Sequence, residues 1–263
     1  MSLPFYEAIS FQKILEKGGH SKPWVVLVNM QDTVKPYVVK LYKTKDIEAR
    51  NKMTAEVLGN VLAGEFGLKA PKGAIIDFTP QFCQQLNEAC EEVLTQVDER
   101  PKFGSEFIEG SFIYVPQTDR KTTKELLDPA LLYAFDYFIC NRDRNINKPN
   151  LLIKQDKAYL IDHEMALEIS NNTLSDFELG SWDSRFQNHL FYSFLKKTHG
   201  DKSNLFDEFL LYLQNINFQR LMPYFNKLED LGFTTHKELI LDCWKTIQNK
   251  STIFATILSN SIQ

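Results

Sequence analysis

Apolar positions along this chain change period more than once. Trp24-Val25-Val26-Leu27-Val28 and Tyr37-Val38-Val39-Lys40-Leu41-Tyr42 are runs of β-branched and aromatic residues separated by the turn-like Gln31-Asp32-Thr33. They predict an antiparallel hairpin. Over 46–66 the spacing becomes helical, with Ala55, Leu58, Leu62 and Phe66 on one face. Gly59 lies on the same face and permits close packing, at some cost in helix propensity. Gly67 is placed as the stop after the last turn. Gly73-Ala74-Ile75-Ile76-Asp77-Phe78 predicts a further strand. Residues 5–16 predict a short amphipathic helix, and 81–97 a polar, peripheral one.

Farther along, Phe112-Ile113-Tyr114-Val115 is another short apolar run. Asp128-Pro129 predicts a helix start, with Asp as N-cap and Pro in the first turn. That helix should reach about Cys140 and bury Leu132, Phe135 and Ile139. Leu151-Leu152-Ile153 and Ala158-Tyr159-Leu160-Ile161 read as two short strands. Residues 175–260 are helical in pattern, clearest over Leu205–Leu213, Phe218–Leu231 and Leu239–Leu258, with Pro223 starting or kinking the second. Strands and one long helix precede a loop-rich middle and then helices. That order predicts an α+β fold in two lobes, with the boundary near Glu109–Thr118.

Composition narrows the function classes. The 263 residues are 43% hydrophobic with a net charge of −4, enough for a sizeable core and without the basic field that nucleic acid attracts. Direct nucleic-acid binding is therefore not expected. The N-terminus lacks a basic segment followed by an apolar one, and no window reaches the apolar length of a membrane helix, so a cytoplasmic protein is expected. The four cysteines, at 83, 90, 140 and 243, have no CxxC spacing and suggest buried free thiols rather than zinc ligands.

The chemistry concentrates in Asn141–Glu164, NRDRNINKPNLLIKQDKAYLIDHE. Asp143 sits in a polar loop, Asn150 follows before the first short strand, and Asp162 closes the second. Phosphoryl transfer uses such a trio: one carboxylate to orient a hydroxyl, and an Asn with a second carboxylate for magnesium. Lys40, leaving an apolar strand, could reach nucleotide phosphates, and Glu56 on the following helix could pair with it. Each reads equally well alone as a solvated residue. Gly18-Gly19-His20-Ser21-Lys22 could cradle phosphates or simply end a helix. His163 is expected to be structural, because magnesium prefers oxygen ligands, and Glu164 is either a neighbour of the metal site or a helix N-terminal residue. No Gly-x-Ser-x-Gly elbow supports hydrolase chemistry.

At these residues the chain resembles the HipA-like kinases, especially short bacterial HipA-like kinase domains. The matching pieces are Ser21-Lys22-Pro23, Tyr37–Lys40, Glu56, the helix ending Phe66-Gly67-Leu68-Lys69-Ala70-Pro71, Phe103-Gly104-Ser105 to Glu109-Gly110, and Asn141–Glu164, together spanning about 18–170. The resemblance implies a two-lobed, protein-kinase-like fold, with a β-rich N-lobe over 1–110 and a mostly helical C-lobe over 111–263. It implies ATP and Mg2+ as cofactors. Lys40 would contact ATP phosphates with Glu56 holding it, beside Ser21 and Lys22. Glu106, Phe107, Ile108 and Glu109 would form the hinge that meets adenine. Asp143 would be the catalytic base, and Asn150 and Asp162 the metal ligands. The implied partner is a protein substrate with a Ser or Thr hydroxyl, with room for a regulatory protein and none for a membrane. Ser21 would be a candidate for inhibitory autophosphorylation.

The departures from protein kinases are specific. Asn141 stands where His precedes Arg-Asp, and Asp162-His163-Glu164 replaces Asp-Phe-Gly. The base-to-Asn spacing is seven rather than the usual five, with Lys148 at the fifth position and Asn145 and Asn147 as rival ligands. A small-molecule or lipid kinase on the same fold, and a non-catalytic ATP-binding pseudokinase acting through a partner, are the alternative readings.

Overall fold

The computed structural model describes residues 3–15, 22–31 and 33–263. Its N-terminal part is a closed five-stranded barrel in the order β1-β2-β3-β5-β4. The strands are β1 (Phe5–Ile14), β2 (Trp24–Met30), β3 (Thr33–Val39), β4 (Gly73–Asp77) and β5 (Lys102–Glu106). All pairings are antiparallel except β1 with β4. Trp24, Val26, Val28, Tyr37, Val39, Ala74 and Ile76 fill the barrel, which closure leaves without an exposed edge.

Between β3 and β4 the chain forms α1 (Thr44–Arg50) and α2 (Lys52–Glu65), and before β5 it forms α3 (Pro80–Cys83) and α4 (Glu88–Leu94). A second, three-stranded antiparallel sheet joins β6 (Phe112–Ile113), β7 (Leu151–Lys154) and β8 (Lys157–Leu160). The rest is helical: α5 (Arg120–Leu126), α6 (Pro129–Phe138), α7 (Asn171–Glu178), α8 (Tyr192–Lys196), α9 (Asp207–Asn215), α10 (Met222–Asp230), α11 (Lys237–Asn249) and α12 (Ser251–Ser261). α6 runs through the centre of the largest core, where Phe66, Phe135, Phe138, Phe209, Trp244 and Phe254 stack and cross.

The β2–β3 hairpin, β4, α6 with its Asp128 cap and the β7–β8 pair lie where the residue pattern predicts them. Gly67 has φ +70°, and a Cβ there would meet the Tyr212 hydroxyl at 2.5 Å, so the stop needs glycine on two counts. Pro223 falls in the first turn of α10.

Four elements differ from expectation. The segment 81–97 forms two short helices, α3 and α4, instead of one. Residues 5–14 form a strand, not a helix. Two register shifts, between Ala8 and Ser10 and between Phe11 and Lys13, smear its alternation, and Phe5, Ile9 and Ile14 stay exposed. The helix predicted over 46–66 breaks at Asn51, which takes a left-handed φ of 52° while its amide donates to the Thr235 carbonyl at 3.0 Å. Leu239–Leu258 is likewise two helices, divided at Lys250.

Candidate functional site

A cavity of about 310 Å³ opens between the barrel and the β6–β8 sheet. Leu15, Pro23 and Val38 line it from the barrel, and Leu152, Leu160 and Phe112 from the sheet. Its inner end holds Lys40, Glu56, Asp162 and His163. Apolar walls with charged groups gathered at one end suit a ligand with a flat apolar part and an ionic part.

Lys40 lies one residue past β3, and Glu56 one turn into α2. The ammonium donates to Glu56 Oε1 and, at 2.6 Å, to Asp162 Oδ1, and Glu164 Oε2 lies 3.7 Å away. Burial by itself would pull the ammonium down, but Glu56, Asp162 and Glu164 outweigh it and hold Lys40 above its ordinary pKa. The load on the carboxylates is unequal. Burial pushes Glu56 up, and Lys40 offsets that only in part. Burial also raises Asp162, but there Lys40 wins and the carboxyl sits below its usual range. Tyr42 donates to Glu56 Oε1 at 3.0 Å, and burial next to these anions drives its phenol well up. Lys52 adds a second cation, 3.3 Å from Glu164.

Three carboxylates, with oxygens all within 4.8 Å of one another, thus face two cations, and Lys52 reaches only Glu164, so one negative charge is left over. Oxygen-only donors with surplus negative charge fit a hard divalent cation such as magnesium. Asn150 adds to that fit. Its side-chain amide has no hydrogen-bond partner among the described residues, and its Nδ2 is buried, so the group is left available to a ligand.

The β7–β8 hairpin sets Asn150 beside Asp162. Leu151 pairs with Leu160, and the Ile161 N–H donates to the Asn150 carbonyl at 3.1 Å. Both residues are left-handed, with φ of 47° and 62°. Asn and Asp tolerate that region better than other side chains, yet it persists only where surroundings enforce it. The enforcing group is Arg144, fully buried. Its guanidinium donates to the Asn150 carbonyl and to that of Ile161, at 3.4 Å for the latter. It is anchored by Asp136 of α6 through Nε–Oδ2 at 2.6 Å.

Asp136 also accepts from Asn141 Nδ2 at 2.8 Å and from His189 Nε2 at 3.0 Å. Burial opposes its ionisation, but Arg144 and His189 prevail and bring its pKa to about 2. The Phe191 N–H donates to His189 Nδ1 at 3.2 Å, so the ring carries its proton on Nε2 and is neutral, and burial holds its pKa down. His163 is buried against α2. Burial and the Arg144 charge lower its pKa to about 3, so it too is neutral. A Cβ on Gly59 would stand 2.5 Å from the His163 ring, which is why glycine occupies that face of the helix.

The remaining expected residues fall in different places. Asp143 lies outside the cavity lining, in the loop after α6, with Lys148 Nζ at 3.2 Å. Asn147 is exposed, and Asn145 is occupied with loop bonds to Asp143, Asn147 and Lys148. Glu106 ends β5 and pairs with Lys35 at 2.9 Å, and it lines the cavity with Phe107 and Ile108. The Ile108 N–H has no partner among the described residues. Glu109 and Lys22 are exposed and do not line the cavity. Ser21 and most of the glycine segment lie outside the described residues, although Leu15 and Pro23 on either side are joined by a 2.9 Å backbone bond. Glu164 falls beside Asp162 and Glu56, the first of the two places its sequence position allowed, whereas local patterns gave little hint of Asp136. A carboxylate inside the apolar run Pro129–Phe138 was the one available signal for Asp136.

A family model described as HipA-like kinase matches residues 13–213. A crystal structure of a Helicobacter pylori proinflammatory kinase, CtkA, superposes with a TM-score of 0.50 at 12% identity, covering 100% of this chain and 99% of that one. No curated protein matches the chain. Among the described residues, no helix is long and apolar enough to cross a membrane.

Proposed function

The chain belongs to the HipA-like kinase family, and from that premise we propose that it is an ATP- and Mg2+-dependent phosphotransferase acting on a Ser or Thr hydroxyl of a protein in the cytoplasm. In this reading residues 1–110 are the N-lobe and 111–263 the C-lobe, and ATP occupies the cavity between them. One observation carries the proposal. Lys40 bridges Glu56 and Asp162, joining a strand lysine, a helix carboxylate and a post-hairpin carboxylate at the polar end of an apolar slot.

Each residue then has a task. Val38, Leu152 and Leu160 hold the base by its faces, and the Ile108 N–H donates to its edge. Lys40, kept charged by its carboxylates, pairs with phosphate oxygens, and Glu56 fixes its position. Asn150 and Asp162 would hold Mg2+, with Glu164 near enough to assist. Bound there, the ion would neutralise charge on the β- and γ-phosphates. Asp143 orients the acceptor hydroxyl and receives its proton. The protein contributes positioning and preorganised charge rather than a covalent intermediate.

The test is transfer from labelled ATP with Mg2+ present, read as autophosphorylation with mass-spectrometric site mapping and as transfer to protein acceptors. Asp143→Asn should abolish transfer while the fold survives. An Asp143→Asn protein with wild-type activity would sink the assignment. ATP binding without any transfer would favour a pseudokinase, and label appearing only in lipid or small-molecule acceptors would move the substrate class.

A further inference from the structure

Asp143 and Asn150 are two residues farther apart than the base and Asn of protein kinases. The longer loop delivers a cation to Asp143. The Asn145 N–H donates to the Lys148 carbonyl at 2.9 Å, and the Lys148 N–H donates back to the Asn145 carbonyl and Oδ1, each at 3.1 Å. Asn145 Nδ2 ties the same turn to the Asp143 carbonyl at 3.0 Å, and a β-bridge joins Asn145 to buried His189. Pro149 follows, buried and fixed in φ. The backbone of Lys148 is therefore set relative to Asp143 by both ends of the turn. From there Nζ lies 3.2 Å and 3.4 Å from the two Asp143 carboxylate oxygens.

The other two cations of the loop are committed elsewhere. Arg142 pairs with Asp183 at 2.6 Å and Glu168 at 3.5 Å, and Arg144 is buried on Asp136. Lys148 is the one cation on Asp143 among the described residues, and its side chain is 51% exposed. An exposed ion pair of this kind contributes only about 0–1 kcal/mol to stability. Stability is a weak reason for it to be there.

We propose that Lys148 is a further catalytic residue, whose ammonium stabilises the phosphoryl group as it transfers. The inference rests on Asp143 acting as the base. In the step, the acceptor oxygen forms a bond to the γ-phosphorus. The bond from that phosphorus to the bridging oxygen breaks, and its electron pair stays on the departing nucleoside diphosphate. The hydroxyl proton passes to the Asp143 carboxylate. A hydroxyl held by Asp143 lies about 2.7 Å from it, and the phosphorus under attack about 3–3.5 Å beyond. An ammonium touching both oxygens of that carboxylate, on a flexible four-carbon stem, reaches the non-bridging phosphoryl oxygens by rotation of its own side chain. Lys40 is instead held by three carboxylates in the cavity, whose lining does not include Asp143.

The experiment compares wild type, Lys148→Ala, Lys148→Arg and Asp143→Asn in steady-state transfer, with melting curves for each. Lys148→Ala should lose about 10²-fold in kcat, the scale of one preorganised charge donor, with the KM for ATP and the melting curve unchanged. Lys148→Arg should be intermediate. Lys148→Cys alkylated with 2-bromoethylamine, which rebuilds an ammonium, should recover much of the loss, with identically treated wild type as control. Full kcat in Lys148→Ala beside an inactive Asp143→Asn overturns the proposal and leaves the base assignment standing. A rise in KM alone overturns it as well, because it assigns Lys148 to ground-state binding. An inactive wild type or a fully active Asp143→Asn overturns the base assignment and this inference with it.

Discussion

Two charge clusters meet where the β7–β8 hairpin begins and ends, and they are built on opposite principles. Around Arg144 every group is matched: Asp136 accepts from Arg144, Asn141 and His189, and the histidines are neutral. Around Lys40 three carboxylates face two half-buried cations, Lys40 and the Lys52 that reaches only Glu164, and the Asn150 amide close by has no partner among the described residues. A satisfied network rigidifies and a short-changed one binds. The first cluster therefore reads as scaffold and the second as working site. Arg144 couples them through the two carbonyls that hold Asn150 and Asp162 in left-handed backbone.

The sharpest way to break this contrast is to remove one charge from each side. Asp162→Asn should cost transfer about 10⁴-fold or more, the scale for losing a member of a catalytic unit, while Tm stays within a few degrees of wild type. Asp136→Asn should instead lower stability by about 3–5 kcal/mol, because it strands a buried guanidinium. Urea unfolding would measure that, and activity should fall with the folded fraction. If Asp162→Asn unfolds as readily as Asp136→Asn, the division into scaffold and working site fails.

Gly59→Ala probes the packing between the clusters. Its new Cβ must displace His163, next to Asp162. Overpacking of this kind costs about 1–3 kcal/mol, and transfer should fall beyond the loss of folded protein, since the His163 N–H also donates to Glu56 at 3.3 Å. Unchanged transfer would uncouple the ring from the site.

The smallest effect is a pH dependence in which His189 shares the acid limb with His163, whose pKa is about 3, and with the lowered Asp162. His189 is held below its ordinary pKa of 6.5, so the unfolded chain binds a proton there that the native protein does not. Its contribution is intact above 6.5 and is lost as pH falls below that value. Asp136, with its pKa near 2 against 3.8, adds a further loss only in stronger acid. His189→Gln retains a donor for Asp136 without a titrating ring. Its stability should fall less steeply than wild type between pH 6.5 and 4, and parallel curves would remove His189 from the acid limb.

Legibility from the chain follows the range of the forces involved. The β2–β3 hairpin, the capped α6 and the Gly67 stop are local patterns of a few residues, and they could be read directly. So could the order Asp143, Asn150, Asp162, because loop and hairpin lie within one short stretch. β1 could not, since its bulges answer to β2 and β4 rather than to its own alternation. The break at Asn51 could not either, because the carbonyl that receives its amide belongs to Thr235.

By itself the sequence determined which short segments alternate or wind and which polar residues end them, because propensity, capping and turn chemistry act over a few residues. The Lys40–Glu56 pair was already open to a sequence reading, but only the tertiary structure decided that Asp162 and Glu164 join it while Arg144 meets Asp136, and hence which cluster is left with surplus charge. Charge balance is a sum over groups brought together from distant positions, and no local window contains that sum.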